Sequence, residues 1–245
     1  MKKILLSLFA LLAVALDAER VDIFTDVSGM MTADPRIVKN AHFLKTVSYD
    51  EVANMAHEGA KVIHPRAVEV AHQAHLPMRI RSTWDNVDEL GTLVTDKNLS
   101  IEHYRTVTGI AHQTGLTQIN LSVNNTEAEK IFKVLAENEV SIDFINISPN
   151  QVVFNTSRED GLKAKKIFEE YNIPVNFVEN CVKVSIIGGG MVGTPGVIAK
   201  MVTALSKTGV EILQTADSDT TVWILVTEDN FKLAVNTLHE AFLEN

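Results

Sequence analysis

The chain has 245 residues, 46% hydrophobic and 22% charged, a globular composition that excludes a disordered or fibrous protein. Lys and Arg number 22 against 31 Asp and Glu, so the net charge is −9, and with pI ≈ 5.4 and no basic run the chain lacks the phosphate-neutralising charge that nucleic-acid binding needs. A single cysteine, Cys181, excludes an internal disulfide or a thiolate metal cage and makes the cytosol the default compartment.

The N-terminal stretch allows two readings. Met1-Lys2-Lys3 followed by apolar Ile4 to Leu16 has the charged start and short apolar run of a secretory signal, with Ala13-Val14-Ala15 as its cleavage point. It is too short to span a bilayer, which takes about 20 apolar residues, and no other membrane contact is expected. The same stretch also reads as a helix buried in an α/β domain and leading into a strand at Val21 to Phe24. That strand ends in Thr25-Asp26, and turns follow at Ser28-Gly29 and Asp34-Pro35-Arg36. An acid and a hydroxyl at a strand end, a Gly turn and an Arg can hold a ribose and phosphates, because Asp accepts sugar hydroxyls and Arg forks to phosphate oxygens. The alternative is an Asp-capped turn.

Helical spacing then predicts Tyr49 to His57 and Pro65 to Ala74, and alternation predicts a strand at Met78 to Ser82. His57, His64, His72 and His75 invite a metal reading, since His72 and His75 share a helical face, but no Cys is near to complete a set and scattered surface histidines are commoner. Polar Trp84 to Glu89 and Asp96 to Glu102 flank a short apolar piece, Gly91 to Val94, and place a domain boundary near residues 95–105.

The second half repeats itself at an offset of 70: Lys130/Lys200, Leu135/Leu205, Val140/Val210, Ile142/Ile212, Ser148/Ser218, Val152/Val222 and Ala164/Ala234 are identical. Each copy reads strand, helix, strand, strand, helix, a ferredoxin-like plan with helices on one sheet face. The first runs through Leu116–Val123, Thr126–Glu137, Ser141–Ile147, Gln151–Thr156 and Gly161–Tyr171. The second runs through Val182–Ile187, Pro195–Lys207, Glu211–Ala216, Thr220–Thr227 and Asn230–Phe242. Val107–His112 and Pro174–Glu179 are candidates for the fourth strand of each sheet, with their assignment open. Gly188-Gly189-Gly190-Met191-Val192-Gly193 fits G-x-G-x-x-G, with Asp217 downstream, but that fingerprint requires a doubly wound parallel sheet that the remaining elements cannot build. A small-ligand or packing loop is the better reading. Cys181 reads as a small buried hydrophobe.

Three motifs carry a resemblance. Phe24 to Arg36, then Gly59-Ala60-Lys61-Val62-Ile63-His64-Pro65-Arg66-Ala67, then Val182 to Gly196 ahead of Gln214-Thr215-Ala216-Asp217-Ser218, resemble the C-terminal part of a bacterial aspartate kinase. The repeat resembles that family's paired ACT domains, which bind amino-acid effectors. The wording resembles most the diaminopimelate-sensitive isozyme of Bacillus-like bacteria. The resemblance implies a fold of two classes: an α/β remnant of an amino-acid-kinase domain over residues 1–100, then α+β in two ferredoxin-like βαββαβ ACT modules over 106–180 and 181–245. With it, the buried helix becomes the preferred reading of the N-terminus, and the cytoplasm the expected compartment.

The implied activity is phosphoryl transfer from ATP with Mg2+ to the β-carboxylate of L-aspartate, with no tightly bound cofactor. Thr25, Asp26, Arg36, Lys61 and Val62 match nucleotide-site positions, and Met31 stands where many members have a Tyr. Asn125, Thr126, Ser141, Ile142, Asp143, Val197, Ile198, Glu211, Ile212 and Ser218 correspond to effector positions, although Asn124 to Glu127 replaces the usual acidic and Pro-Gly loop. The effector would be diaminopimelate, lysine or threonine, its ammonium meeting Asp143 and its carboxylate the N-terminus of the Pro195 helix. The family's Lys-Phe-Gly-Gly opening and Gly-rich Ser-Asp-Thr-Thr loop have no counterpart, so catalytic residues are expected in that half and the chain alone should turn over little. Face-to-face pairing of the modules, as a homodimer or within the chain, is expected too. A non-catalytic amino-acid-binding subunit and an exported ligand-binding protein are the other function classes.

Overall fold

Alternation in Met78-Arg79-Ile80-Arg81-Ser82 buries Met78 and Ile80 completely and turns Arg79 and Arg81 to the opposite face, the pattern of a strand covered on one side. A computed structural model describes residues 10–96 and 106–244, and in it this segment is β3 of a four-stranded sheet. Its companions are β1 (Val21–Thr25), β2 (Thr46–Ser48) and β4 (Thr92–Thr95), in the order β1-β3-β4-β2. β1 and β3 run parallel, as do β2 and β4, while β3 and β4 are antiparallel. Helices α1 (Tyr49–His57) and α2 (Pro65–Gln73) cover one face, burying Val52, Met55, Val68 and Ala71 against Val47, Met78, Ile80 and Val94. Ser48 starts α1 through a capping box with Glu51, and Pro65 fits the first turn of α2, where its missing N–H is not needed. Residues 10–15 are helical and lead toward β1, with Ala13 packed on this core. Met1 to Phe9, which hold most of the signal-like run, lie outside the described residues.

The remaining strands form one antiparallel sheet of six, in the order β6-β7-β5-β8-β10-β9. They are β5 (Gly109–Leu121), β6 (Asp143–Ser148), β7 (Gln151–Ser157), β8 (Asn176–Ile187), β9 (Gln214–Asp217) and β10 (Thr221–Thr227). Helices α3 (Asn125–Glu137), α4 (Arg158–Glu170), α5 (Val197–Thr208) and α6 (Glu228–Leu243) supply the apolar cover. Antiparallel pairing removes the dinucleotide reading of the glycine run, which needs a parallel sheet.

Four separately expected strands are two long ones. Val107–His112 joins Leu116–Val123 as β5, and Pro174–Glu179 joins Val182–Ile187 as β8. The register is irregular between Gln113 and Leu116, where Gly115 has φ +76 and Asn180 on the partner strand φ +55. The irregularity switches which face each strand presents, so one half of β5 packs Ile110 in one core and the other half packs Ile119 and Leu121 in another. Asn120 pairs with Asn176 at one end, and Gly109 with Ile187 at the other. The first copy is therefore completed by the start of β8. The second is completed by the start of β5, a segment N-terminal to both copies.

The two sheets interlock. Ala33 and Val38, from the loop after β1, sit in the core of the second copy, and Ala111 and Ile187 of the six-stranded sheet sit in the core of the first sheet. On the face away from α3 to α6 the outer strands of the six-stranded sheet approach each other: Gln214 Nε2 of β9 donates to the Phe144 carbonyl of β6 at 2.7 Å, and the Phe144 ring lies 4.4 Å from that of Trp223. Phe144 and Gln214 are equivalent positions of the repeat.

Candidate functional site

β1 and β3 end at the same edge of the first sheet because they are parallel. β2 runs the other way, and α1 returns to the edge where β1 ends. This edge therefore collects Thr25 and Asp26 at the end of β1, the Gly29 to Arg36 loop, and the turn at Gly59 to Val62 after α1. The carboxyl ends of parallel strands are where α/β sheets take ligands. Thr25 Oγ1 donates to Asp26 Oδ1 at 3.0 Å, and both Thr83 N–H and Thr83 Oγ1 donate to the Thr25 carbonyl. Met31 is bridged to Phe43. Val62 packs on the core, whereas Lys61 is exposed.

Arg36 is 87% exposed and forks onto Asp34, with Nη2 at 2.7 Å and Nε at 3.0 Å, so its guanidinium is engaged by its own loop. That pairing holds the Asp34 carboxyl below the usual carboxylate range. Arg36 and Lys61 both act on His112: burial lowers the imidazole below its ordinary value, Asp34 opposes this, and the two cations add to it. The structure thus joins the two cations expected at the nucleotide through a residue that the motifs did not indicate.

A buried polar junction runs along α1, from the end of β2 to this edge. Glu51, buried in α1, accepts from Ser48 Oγ at 2.6 Å, Ser48 N–H at 3.1 Å, Thr108 Oγ1 at 2.5 Å and Gly189 N–H at 3.1 Å. Burial pushes its carboxyl up, but these hydrogen bonds prevail and hold it below the ordinary value. The glycine-rich loop therefore gives a backbone N–H to a carboxylate of its own chain. Gly188 is required there because a Cβ would lie 2.3 Å from the Thr106 carbonyl oxygen. Glu58, the C-cap of α1, pairs with Lys183 Nζ at 2.6 Å and accepts from Ser185 Oγ. Asn54 Nδ2 donates to Thr220 Oγ1 at 2.7 Å. His239, fully buried, lies 2.9 Å from Thr32 Oγ1 and 2.7 Å from Glu244. The only sequence signal for Lys183 was a lone cation inside an apolar run, which flags a paired buried charge.

The ten expected effector positions fall in three places. Ser141, Ile142 and Asp143 begin β6, and Glu211 and Ile212 precede β9; these two segments converge where Phe144 meets Leu213 and Gln214. Asn125 and Thr126 are at the opposite end of α3, about 20 Å away for a helix of 13 residues. Val197, Ile198 and Ser218 gather at the far end of the second copy. Asp143 and the N-terminus of α5 do not meet as the sequence suggested. Asp143 is level with Gln118 through Asn155, while Ile187, which leads toward α5, is level with Gly109, roughly 30 Å away along β5 at about 3.3 Å per residue. That helix also starts at Val197 rather than Pro195, after Gly196 at φ +92.

The histidines have local partners. His64 Nδ1 caps α2, His57 lies 3.7 Å from Glu69, His72 lies 3.5 Å from Asp50 and stacks on Tyr49, and His75 lies 3.2 Å from Asp96. Among the described residues no group of three His, Cys, Asp or Glu could hold a metal ion, and no helix is long and apolar enough to cross a membrane. Cys181 is buried, its Sγ 3.2 Å from the Val178 carbonyl.

Comparison with known proteins matches the two parts of the chain to different families. Residues 7–82 match the amino acid kinase family and residues 176–240 the ACT domain. Aspartokinase 1 of Bacillus subtilis is 46% identical over 241 residues, covering 95% of this chain but 59% of the relative. The chain thus spans about three-fifths of that relative's length. The crystal structure of Clostridium acetobutylicum aspartate kinase superimposes with a TM-score of 0.87 at 29% identity, over 97% of this chain and 57% of that one. Escherichia coli aspartokinase III in complex with aspartate and ADP gives 0.78 at 28% identity, over 96% and 55%.

Proposed function

The chain belongs to the aspartokinase family, and on that premise we propose that it forms one wall of the nucleotide site of an aspartate kinase together with the sheet that regulates it. The reaction is transfer of the γ-phosphoryl group of MgATP to the β-carboxylate of L-aspartate, giving ADP and 4-phospho-L-aspartate, the entry to lysine and related amino acids. The observation that carries this reading is the collection of Thr25, Asp26, Met31, Arg36, Lys61 and Val62 at one sheet edge. Asp26 and Thr25 suit ribose hydroxyls, and Arg36 and Lys61 suit phosphates once Arg36 shares or leaves Asp34. Met31 offers apolar contact to the nucleotide. Mg2+ arrives on the nucleotide and is part of the substrate.

The six-stranded sheet takes a feedback amino acid, diaminopimelate, lysine or threonine, at the convergence of Ser141–Asp143 with Glu211–Ile212. Asp143 is exposed there and suits an ammonium group. Two chains pair through these modules: β6 is an edge strand with Ile145 49% and Ile147 55% exposed, an apolar edge that pairing covers. The protein works in the cytoplasm, with its substrates.

Calorimetry of the purified chain tests the binding functions. At least one of the three amino acids should give heat that Asp143→Ala abolishes, and ADP should bind weakly. Aspartyl phosphate formation by this chain alone should fall far below the about 1 to 100 per second typical of kinases, since phosphoryl transfer depends on positioning by both walls. Absence of any amino-acid binding would remove the regulatory reading.

A further inference from the structure

Lys183 is a cation withdrawn almost wholly from water, its side chain 4% exposed. Such a charge persists only if it is compensated. It has three compensating contacts: Glu58 Oε2 at 2.6 Å, the Phe144 ring centre at 3.9 Å and the Trp223 ring centre at 5.4 Å. The contacts point in two directions. Glu58 ends α1 and is followed by Gly59, whose missing Cβ lets the turn press on the His112 carbonyl, and then by Lys61 and Val62. Phe144 follows Asp143 at a bulge with φ +51, and its carbonyl is held by Gln214, just past Ile212.

We infer that Lys183 is a positioning residue that links the amino-acid segment to the nucleotide turn, because it fixes Glu58 while its own placement depends on the Phe144 ring. The inference rests on the proposed function, which puts nucleotide at Lys61–Val62 and amino acid at Ile142–Asp143. The entry point is specific. Asp143 Oδ1 accepts the Phe144 N–H at 2.9 Å, so an ammonium group drawn to Asp143 competes for the carboxylate that caps the very residue covering Lys183. Movement of that ring changes the compensation of a buried cation. Glu58, shared with Ser185, is the ionic partner that then responds.

The test is calorimetry on the purified chain, titrating ADP with and without saturating diaminopimelate, lysine or threonine. The wild-type ADP dissociation constant should change at least about fivefold with the amino acid that binds, and by linkage the amino-acid constant should change by the same factor. In Lys183→Met combined with Glu58→Gln, which leaves no buried charge unpaired, each ligand should bind within about threefold of wild type while the mutual effect disappears. Phe144→Leu keeps the ion pair and should also lose the mutual effect; it carries the test if the double variant does not fold by circular dichroism. A mutual effect that survives in the folded variants overturns the inference. Wild-type binding of both ligands without mutual effect overturns the inference and leaves the proposed function standing. Binding of neither overturns the proposed function and the inference with it.

Discussion

At the scale of single residues, Glu51 shows how one side chain serves two levels of structure. As the third residue of α1 it closes the capping box with Ser48, a local role readable from spacing. Its other oxygen is taken by Thr108 and Gly189, 57 and 138 positions away, a role that no spacing reveals. Glu51→Ala strands those buried donors and should cost about 3 kcal/mol by urea denaturation, with Glu51→Gln costing less. A loss under about 1 kcal/mol for the alanine variant would deny the junction this role. The pH dependence follows from the lowered carboxyl. Its stabilisation is complete above the unfolded-state value and is lost as pH falls through the lower folded-state value, so the acid limb should be shallower in Glu51→Gln. His112 gives a second prediction. Its imidazole is held low by burial, with Arg36 and Lys61 adding to the effect. Phosphates bound to those two cations bring negative charge that raises it, so ADP binding near pH 6.5 should take up protons. Calorimetry in buffers of different ionisation enthalpy measures the uptake, and His112→Gln should remove it.

At the scale of elements, the turn after α1 is set by shape rather than by side chains. Gly59 has φ +114, and a Cβ there would lie 2.0 Å from the His112 carbonyl oxygen, which belongs to a strand that cannot retreat. Gly59→Ala should therefore cost at least about 2 kcal/mol and weaken ADP binding, because Lys61 moves with the turn. Gly193→Ala provides the contrast: φ is +67 but nothing lies within 4 Å of the new methyl. It should cost about 1 kcal/mol, the price of backbone strain alone. Equal losses in the two variants would show that contact with β5 does not set the turn. The elements legible in the sequence were those long enough to show a period. Tyr49–His57 and Met78–Ser82 have the expected bounds, and α3 to α6 each lie within three residues of theirs. β2 and β4, three and four residues long, are too short to display alternation. The joining of expected strands into β5 and β8 was hidden because Gly115 and Asn180 look like turn residues, whereas in the sheet they carry a bulge. The strand-end residues of the proposed nucleotide site were legible because they form one local run. The polar junction along α1 depends on partners far apart in the chain, and only folding reveals them.

At the scale of the whole molecule, the question is whether the first sheet and the six-stranded sheet are one cooperative unit. Two separable domains would each own a closed core, and neither does here. Ala33 and Val38 leave the first sheet to fill the core under α6, where Asn236 Nδ2 donates to the Ile37 carbonyl at 3.2 Å and Asn40 Nδ2 to Glu244 at 2.8 Å. In return, Ala111 and Ile187 fill the core under α1 and α2. Unfolding either part alone would expose this apolar surface and break the Glu51 hydrogen bonds to Thr108 and Gly189 and the Glu58–Lys183 ion pair. The part that stays folded would lose these contacts with no gain in its own chain entropy. A single transition is the expected result. The two tryptophans test it, because Trp84 is exposed in the bend after β3 and Trp223 is buried in the six-stranded sheet. In guanidinium denaturation, the fluorescence of Trp84→Phe follows the six-stranded sheet alone, while circular dichroism follows both sheets. The two curves should coincide in midpoint and slope. In Lys183→Met, which leaves Glu58 without its cation, both should shift together to lower denaturant. A Trp223 transition that separates from the circular dichroism curve would mean that the sheets unfold independently. The six-stranded sheet would then be linked to the first by little more than chain continuity.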